Sequence, residues 1–253
     1  MYDNDDLKNE LIEGRNAVTE ALRSGRPIEK IYIAKGETDK ALGFIASSAR
    51  DKGFVVVEAD RKKLDFMSET KAHQGVIAVV GAKEYCTVDD ILAYAEEKGE
   101  PPFIIICDEI SDPHNLGAII RSADCSGVHG VITPKRRNAG LTAVVSKTSA
   151  GALEYVPVAR VSNLSSTIKY LKDKGVWIYG TAANGSCELW NTDFTGPIAL
   201  VIGSEGSGIG RLVAENCDFT VSIPMKGHID SLNASCAATI LMYEIFRQRL
   251  TNK

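Results

Sequence analysis

The stretch IALVIGSEGSGIG, residues Ile198–Gly210, decides the fold of the second half of the chain. Its first five residues are apolar, which is typical of a buried strand and far short of the roughly 20 residues that a membrane span needs. The glycines that follow do not match the G-x-G-x-x-G of a dinucleotide-binding loop, because Arg211 stands where the third glycine would be. We therefore expect a loop that binds a different ligand through backbone groups. A plain strand-to-helix turn is the alternative.

Two further segments place polar residues after a strand in the same way. SDPHNLGAIIRSA (Ser111–Ala123) follows an apolar strand at Phe103–Cys107 and opens a helix. VSIPMKGHIDSLNASCAATILMYE (Val221–Glu244) is a strand and loop that lead into a long terminal helix. Because ligands of open α/β sheets bind at the carboxyl ends of strands, the three loops together predict one binding site.

Strand-like and helix-like patterns alternate along the whole chain, which predicts an α/β fold. The segment GEPP at Gly99–Pro102 interrupts this alternation, since two prolines after a glycine cannot continue a helix. We expect a small N-terminal α/β domain at residues 1–84, a linker at 85–102 and a second α/β domain at 103–253.

The composition excludes several classes of protein. Lysine and arginine number 29 against 33 Asp and Glu, a net charge of −4, so the chain is no polycation that binds nucleic acid by charge alone. The six cysteines form no C-x-x-C pair, and the motifs of P-loop NTPases, serine hydrolases and zinc proteases are missing from the sequence. No metal site is therefore expected. The acidic N-terminus, MYDNDDLKNE, differs from a signal peptide and favours a cytoplasmic protein.

Three motifs resemble the signatures of the SpoU (TrmH-type) RNA 2′-O-ribose methyltransferases. They are N-x-G-x-x-x-R-S-A at Asn115–Ala123, L-V-I-G-S-E-G at Leu200–Gly206 and I-P-M…S-L-N-A-S at Ile223–Ser235. Their order and spacing agree with the family, and the resemblance covers Phe103 to Leu250. One departure is Ala234, where the family more often has valine. The N-terminal domain looks like the RNA-binding extension of the RlmB-type members, which methylate a guanosine ribose of 23S rRNA.

The resemblance implies a fold, a cofactor and partners. It implies a small N-terminal α/β substrate-binding domain followed by a SPOUT-type α/β methyltransferase domain with a C-terminal trefoil knot. It also implies methyl transfer from S-adenosylmethionine to a ribose 2′-hydroxyl of RNA without a metal, and a homodimer whose active site lies near the subunit interface. A tRNA 2′-O-ribose methyltransferase and a non-catalytic RNA-binding or ribosome-assembly factor are the alternatives.

Five residues of the motifs carry the catalytic expectation. A 2′-hydroxyl is a poor nucleophile until its proton is removed or polarised, and arginine is an unusual base because its pKa lies above about 12. The arginine of the first motif would either act on the hydroxyl with help from an RNA phosphate or clamp that phosphate and orient the nucleophile. The two asparagines and the serine also suit helix capping, and the glutamate suits neighbouring backbone N–H groups. The five residues are Arg121, Asn115, Glu205, Ser231 and Asn233.

Eight residues are expected to bind the cofactor, largely through the main chain, with core packing as the alternative for the apolar ones. They are Gly203, Ile223, Leu232, Thr181, Ala182, Ile202, Met225 and Ala234. RNA contacts are expected at local basic positions of the otherwise acidic chain. These are Arg15, Lys135, Arg136, Arg137 and Lys147, while the run Arg61–Lys63 suits either RNA or a solvated face.

Overall fold

The structure, a computed structural model, describes residues 10–36 and 39–251. The acidic stretch before Glu10 therefore lies outside the described residues, as does Thr38, which the sequence favours as a helix N-cap. In chain order the helices and strands are β1 (Glu10–Glu13), α1 (Arg15–Ser24), β2 (Ile28–Ala34), α2 (Lys40–Asp51), β3 (Val55–Ala59), α3 (Arg61–Met67), β4 (Val76–Val80), α4 (Val88–Glu97), β5 (Phe103–Cys107), α5 (Pro113–Cys125), β6 (Gly130–Pro134), α6 (Ala143–Thr148), β7 (Val158–Val161), α7 (Leu164–Asp173), β8 (Trp177–Thr181), β9 (Cys187–Glu188), β10 (Ile198–Ile202), α8 (Arg211–Ala214), β11 (Phe219–Ser222) and α9 (Ala234–Thr251).

The chain forms two compact α/β units, as the sequence predicts, but it divides between them differently. The first unit contains the described residues up to Glu84 together with Gly140–Tyr155, and the second contains Tyr85–Ala139 and the described residues from Val156 onward. The interval 85–102 is not a linker, because α4 lies in it and buries Ile91 in the core of the second unit. The chain therefore crosses between the units three times rather than once.

The first unit is a four-stranded mixed sheet with helices packed on it. Its strand order is β1-β4-β2-β3, with β2 and β3 parallel and the other two pairs antiparallel. The apolar faces of α1 and α2 bury residues such as Val18 and Ile45 against strand residues such as Ile31. The Asp39 carboxylate begins α2 by accepting a hydrogen bond from the Ala41 N–H at 2.8 Å.

The segment Gly140–Tyr155 joins the first unit through buried polar contacts. Glu154, which is almost fully buried, accepts a hydrogen bond from Arg26 Nη1 at 2.6 Å. The Tyr155 hydroxyl donates to Glu20 at 2.6 Å. Gly151 has a φ of +96°, and a Cβ there would lie 2.5 Å from Glu20 Cβ, so a glycine is needed for this close approach.

The second unit is a seven-stranded, fully parallel sheet with the order β7-β6-β5-β10-β8-β11-β9. Its central strands β5 and β10 are buried on both faces, which explains their unbroken apolar sequences. On one face, α4 and α7 cover Ile104 and Ile106. The helices α5 and α9 pack against each other, with the Ser122 and Thr239 hydroxyls 2.8 Å apart.

Arg249 ties the end of α9 to the start of the sheet. Its guanidinium donates to the carbonyls of Pro101 at 2.8 Å, Pro102 at 3.0 Å and Gly196 at 2.8 Å. It also lies over the Phe103 ring at 5.0 Å, and burial lowers the pKa of Arg249 to about 10. The guanidinium therefore satisfies the carbonyls of two loops at once.

We predict that Arg249→Met lowers the free energy of unfolding by about 3 kcal/mol, because three carbonyls lose a charged donor. Chemical denaturation of the full chain measures this loss. Arg211→Met is the matched control: among the described residues Arg211 pairs only with Glu215, at the surface, and its loss should cost less than about 1 kcal/mol. Equal stabilities of the two variants would contradict the role of Arg249.

Candidate active site

A cavity of about 490 Å³ opens where β8, β10 and β11 end. All eight residues that the sequence predicts as cofactor-binding line it, together with Glu205 and Ser231. Two of the three loops that the sequence singles out thus line it, at the carboxyl edge of one parallel sheet, where such sheets bind ligands. The third, Ser111–Ala123, reaches them through Asn115, which is hydrogen-bonded to Glu205 and Asn233. The cavity falls within the roughly 300–1,000 Å³ typical of small-molecule sites.

The glycine-rich loop forms a closed turn at the wall of this cavity. The Ser204 and Gly208 backbones exchange two N–H to carbonyl hydrogen bonds of 3.0 Å each. A Cβ on Gly203 would lie 2.2 Å from the Gly208 carbonyl carbon, so the loop returns across a position that only glycine can occupy. Backbone groups of the loop consequently face the cavity at close range.

Asp108 is a residue of the site that the sequence analysis missed. It follows β5 directly, and its carboxylate accepts a hydrogen bond from the Gly210 N–H at 2.7 Å. Burial raises the pKa of this carboxyl group. Asp108 therefore fixes the far end of the glycine-rich loop. An acidic residue at the end of an apolar strand was the available signal.

Glu205 links three distant segments at the mouth of the cavity. Its Oε1 accepts hydrogen bonds from Asn115 Nδ2 at 3.0 Å, from the Ala234 N–H at 3.4 Å and from Asn233 Nδ2. Asn233 Nδ2 also donates to Asn115 Oδ1 at 2.9 Å. The structure therefore brings together three of the five residues expected to be catalytic, one from each motif.

Asn233 also begins the terminal helix. Its Oδ1 accepts hydrogen bonds from the Ser235 N–H at 3.0 Å, the Cys236 N–H at 3.3 Å and the Ser235 hydroxyl at 2.6 Å. The Asn233 amide thus caps α9 with its oxygen and donates to Glu205 with its nitrogen. A capping role and a place in the site are therefore compatible for this residue. At the first motif, the N-cap of α5 is Asp112 rather than Asn115.

Arg121 takes no part in this hydrogen-bonded cluster. It is exposed on α5, and its guanidinium makes no hydrogen bond or ion pair with any residue in the described part of the chain. The remaining expected catalytic residue, Ser231, lines the cavity. Arg121 is thus available to a group from outside the chain.

The basic residues expected to contact RNA fall into two groups. Lys135, Arg136 and Arg137 are exposed after β6, with Arg137 donating to Glu109 at 2.9 Å. The other two, Arg15 and Lys147, already have partners inside the first unit. Arg15 pairs with Asp39 at 2.8 Å and donates to the Gln74 carbonyl at 3.1 Å.

Lys147 is hydrogen-bonded within the first unit. Its ammonium donates to the Thr70 hydroxyl at 2.9 Å and to the Ala72 carbonyl, and burial lowers its pKa. Two of the three ammonium donors are therefore bonded to the loop after α3, and an RNA contact at Lys147 stays a prediction.

Residues 10–36 and 39–251 contain no group of three or more His, Cys, Asp or Glu side chains placed to hold a metal ion. Over the same residues, no helix combines the length and apolarity that crossing a membrane requires.

Comparisons with known proteins cover both units. The model of the "SpoU rRNA Methylase family" matches residues 102–243, and that of "RNA 2'-O ribose methyltransferase substrate binding" matches residues 11–86. A protein of Bacillus subtilis named YacO, of the TrmH family of tRNA/rRNA methyltransferases, is 48% identical over 96% of this chain and 97% of its own length.

Two solved structures are similar over nearly the whole chain. The SpoU methyltransferase AviRb of Streptomyces viridochromogenes, in complex with the cofactor AdoMet, has a TM-score of 0.82 at 28% identity and covers 96% of this chain and 91% of its own. The AdoMet-bound rRNA methyltransferase of Sinorhizobium meliloti has a TM-score of 0.77 at 25% identity and covers 94% of this chain and 87% of its own.

We predict that Gly203→Ala lowers the free energy of unfolding by about 1–3 kcal/mol, because its Cβ would overlap the Gly208 backbone. Gly206→Ala, in the same loop, is the matched control, since a Cβ there has no heavy atom within 4 Å. Thermal denaturation compares the two variants. Melting temperatures equal to that of the wild type in both variants would refute the close approach of the loop at Gly203.

Proposed function

This chain belongs to the SpoU rRNA methylase family, and we propose that it methylates the ribose 2′-hydroxyl of a guanosine in 23S rRNA. The observation that carries the proposal is the meeting of all three motifs at one cavity. Glu205 and the eight expected cofactor-binding residues line it, and Glu205 is hydrogen-bonded to Asn115 and Asn233 of the other two motifs.

The cavity suits S-adenosylmethionine in size and in the character of its walls. Ile202, Ile223 and Met225 offer apolar surface for an adenine ring, and the backbone of Gly203 and Leu232 offers hydrogen-bonding groups beside it. When bound, the cofactor supplies an electrophilic methyl group. AviRb and the Sinorhizobium enzyme, which share this fold, are known in complex with AdoMet.

Glu205 is placed to position the ribose. Three donors occupy its Oε1, whereas its Oε2 has no hydrogen-bond partner within residues 10–36 and 39–251. A carboxylate oxygen held in this way accepts a hydrogen bond from a ribose hydroxyl or from a guanidinium. Because Asn115 and Asn233 fix the other oxygen, Glu205 orients the substrate with little freedom to move.

Arg121 supplies the positive charge of the reaction. A guanidinium binds a phosphate through two parallel hydrogen bonds, which fixes the nucleotide that carries the reacting 2′-hydroxyl. Its exposure and lack of a partner in the described part of the chain fit this role better than that of a structural residue. Arg121 thus clamps the RNA and polarises the hydroxyl.

We further propose a homodimer in which Arg121 acts at the site of the partner. Arg121 lies on α5, which packs against α9, and α9 exposes the large apolar side chains of Tyr243 and Leu250. An exposed apolar helix face beside an unpaired arginine is suited to an interface between two copies. Such sharing accounts for the lack of a hydrogen bond between Arg121 and the Glu205 cluster of the same chain.

Two observations favour rRNA over tRNA and over a binding protein without activity. The rRNA methyltransferase of Sinorhizobium meliloti is similar over 94% of this chain, and that span includes the unit matched to substrate binding. A protein that only binds RNA also has no need for the interlocked Asn115, Glu205 and Asn233 beside a cofactor-sized cavity.

We predict that the purified protein transfers labelled methyl groups from S-adenosylmethionine to 23S rRNA from a strain that lacks it. Arg121→Ala should lower this transfer at least about 100-fold while cofactor affinity, measured by calorimetry, stays within about twofold. Arg121→Lys should also be impaired, because an ammonium cannot bind phosphate through a planar fork. Full activity of Arg121→Ala would remove Arg121 from the mechanism, and absence of transfer to rRNA and tRNA would refute the function.

A mixing experiment tests the shared site. Arg121→Ala and Asn233→Ala should each be inactive alone, because each removes one half of the site. If the halves come from different subunits, a denatured and refolded mixture should regain about one quarter of wild-type activity, since half of the dimers are mixed and each has one intact site. A mixture as inactive as its components would show that both residues serve the same subunit.

A further inference from the structure

Phe66 of α3 is the most exposed large apolar residue in the part of the chain that the structure describes, with 87% of its surface accessible. The helix is anchored through Leu64, which is fully buried in the core of the first unit. Residues two positions apart on a helix point in nearly opposite directions, so Phe66 projects away from that core. No packing within the first unit accounts for an aromatic side chain at this position.

Three exposed lysines lie on α3 and on the loop that follows it. Lys62 is four residues before Phe66 and therefore lies beside it on the outer face of α3. The Lys63 ammonium is 4.8 Å from the centre of the Tyr32 ring, and Lys71 donates to the Asp65 carbonyl at 2.8 Å. We call Lys62, Lys63, Phe66 and Lys71 the α3 patch.

The acidic residue nearest the ring in sequence already has a partner. Asp65 Oδ1 lies 2.9 Å from His73 Nε2, and the main chain of Asp65 receives the bond from Lys71. Both contacts hold Asp65 within the first unit. Of the three lysines, Lys62 makes no hydrogen bond or ion pair with any described residue, and it is exposed on the same face of α3 as Phe66.

We propose that the α3 patch holds an unpaired nucleotide of the RNA substrate, with the base stacked on Phe66 and its phosphates beside the lysines. The proposal rests on the proposed function, because it names a contact for the same substrate outside the active site. Single-stranded RNA is recognised in this way, by aromatic rings for the bases and cations for the backbone. The unit that carries the patch matches the substrate-binding family model.

The chemistry of the patch favours RNA over a protein partner. Protein interfaces place apolar residues together and are poor in lysine at their centres. Here one ring stands among lysines, and the exposed neighbours Arg61 and Glu69 are charged as well. A second copy of the chain would bring the same positive charges into contact, which opposes self-association through this surface.

The test compares two exposed phenylalanines of the same unit. Phe66→Ala should weaken binding to 23S rRNA transcribed in vitro by about 5- to 100-fold, measured by filter binding at fixed salt, because stacking is lost. Phe44→Ala is the matched control: Phe44 is 58% exposed on α2, and its replacement should change affinity less than twofold. Phe66→Trp should retain affinity, and Phe66→Leu, which keeps an apolar side chain without a ring, should not.

Charge and activity supply independent readouts. Lys62→Gln should make the slope of log K against log salt concentration shallower by about 0.7, the change expected when one phosphate contact is lost. Phe66→Ala should leave cofactor affinity and the kcat at saturating RNA unchanged, because the patch does not touch the reacting atoms. Unchanged RNA affinity in Phe66→Ala, or equal losses in Phe44→Ala, would overturn the patch as an RNA contact.

The outcomes separate this proposal from the proposed function. If Arg121→Ala stops methyl transfer while Phe66→Ala binds RNA normally, the function stands and the α3 patch is refuted. If the wild type methylates no RNA but Phe66→Ala still weakens RNA binding, the patch stands and the function fails. A change of oligomeric state in Phe66→Ala at unchanged RNA affinity would assign the patch to protein contact and overturn the proposal.

Discussion

One carboxylate oxygen, Glu205 Oε1, joins the three segments on which the candidate active site depends. It accepts hydrogen bonds from Asn115 at the start of α5, from Asn233 before α9 and from the first N–H of α9. Without it the Asn115 amide and the Ala234 N–H would lose their acceptor, whereas Asn233 would keep its bond to Asn115. A buried donor that is left unpaired costs more than an ordinary hydrogen bond contributes. The glycine-rich loop, held at its other end by Asp108, therefore has a fixed course between two helices.

The parallel sheet explains why these segments meet at all. In a parallel sheet every strand ends at the same edge, so β5, β8, β10 and β11 deliver their following loops to one side. Central strands buried on both faces make that edge a rigid frame. The first unit has a mixed sheet and a surface with an exposed aromatic ring among lysines. The chain thus keeps the cofactor-sized cavity in one unit and the α3 patch in the other.

The sequence was sufficient for features that depend on local pattern. The strands Phe103–Cys107 and Ile198–Ile202 have the bounds that their apolar runs predict, and all eight residues expected at the cofactor line the cavity. Features that depend on distant pairing could not be predicted. Asp108 bonds to Gly210 about a hundred positions later, and Lys147 bonds back to the loop at Thr70. The segment Gly99–Pro102 suggested a linker, although Ile91 anchors the helix just before it in the core. The trefoil knot stays a prediction from the resemblance.

The central claim is that this chain, with its cofactor in this cavity and with Arg121 on the RNA, methylates one ribose of 23S rRNA. Mapping every 2′-O-methylated nucleotide in the rRNA and tRNA of a strain without this protein, and of the same strain with the gene restored, tests that claim most directly. The account predicts that one 2′-O-methylguanosine disappears from 23S rRNA and returns with the restored gene. An unchanged rRNA pattern, or a loss confined to tRNA, would contradict it.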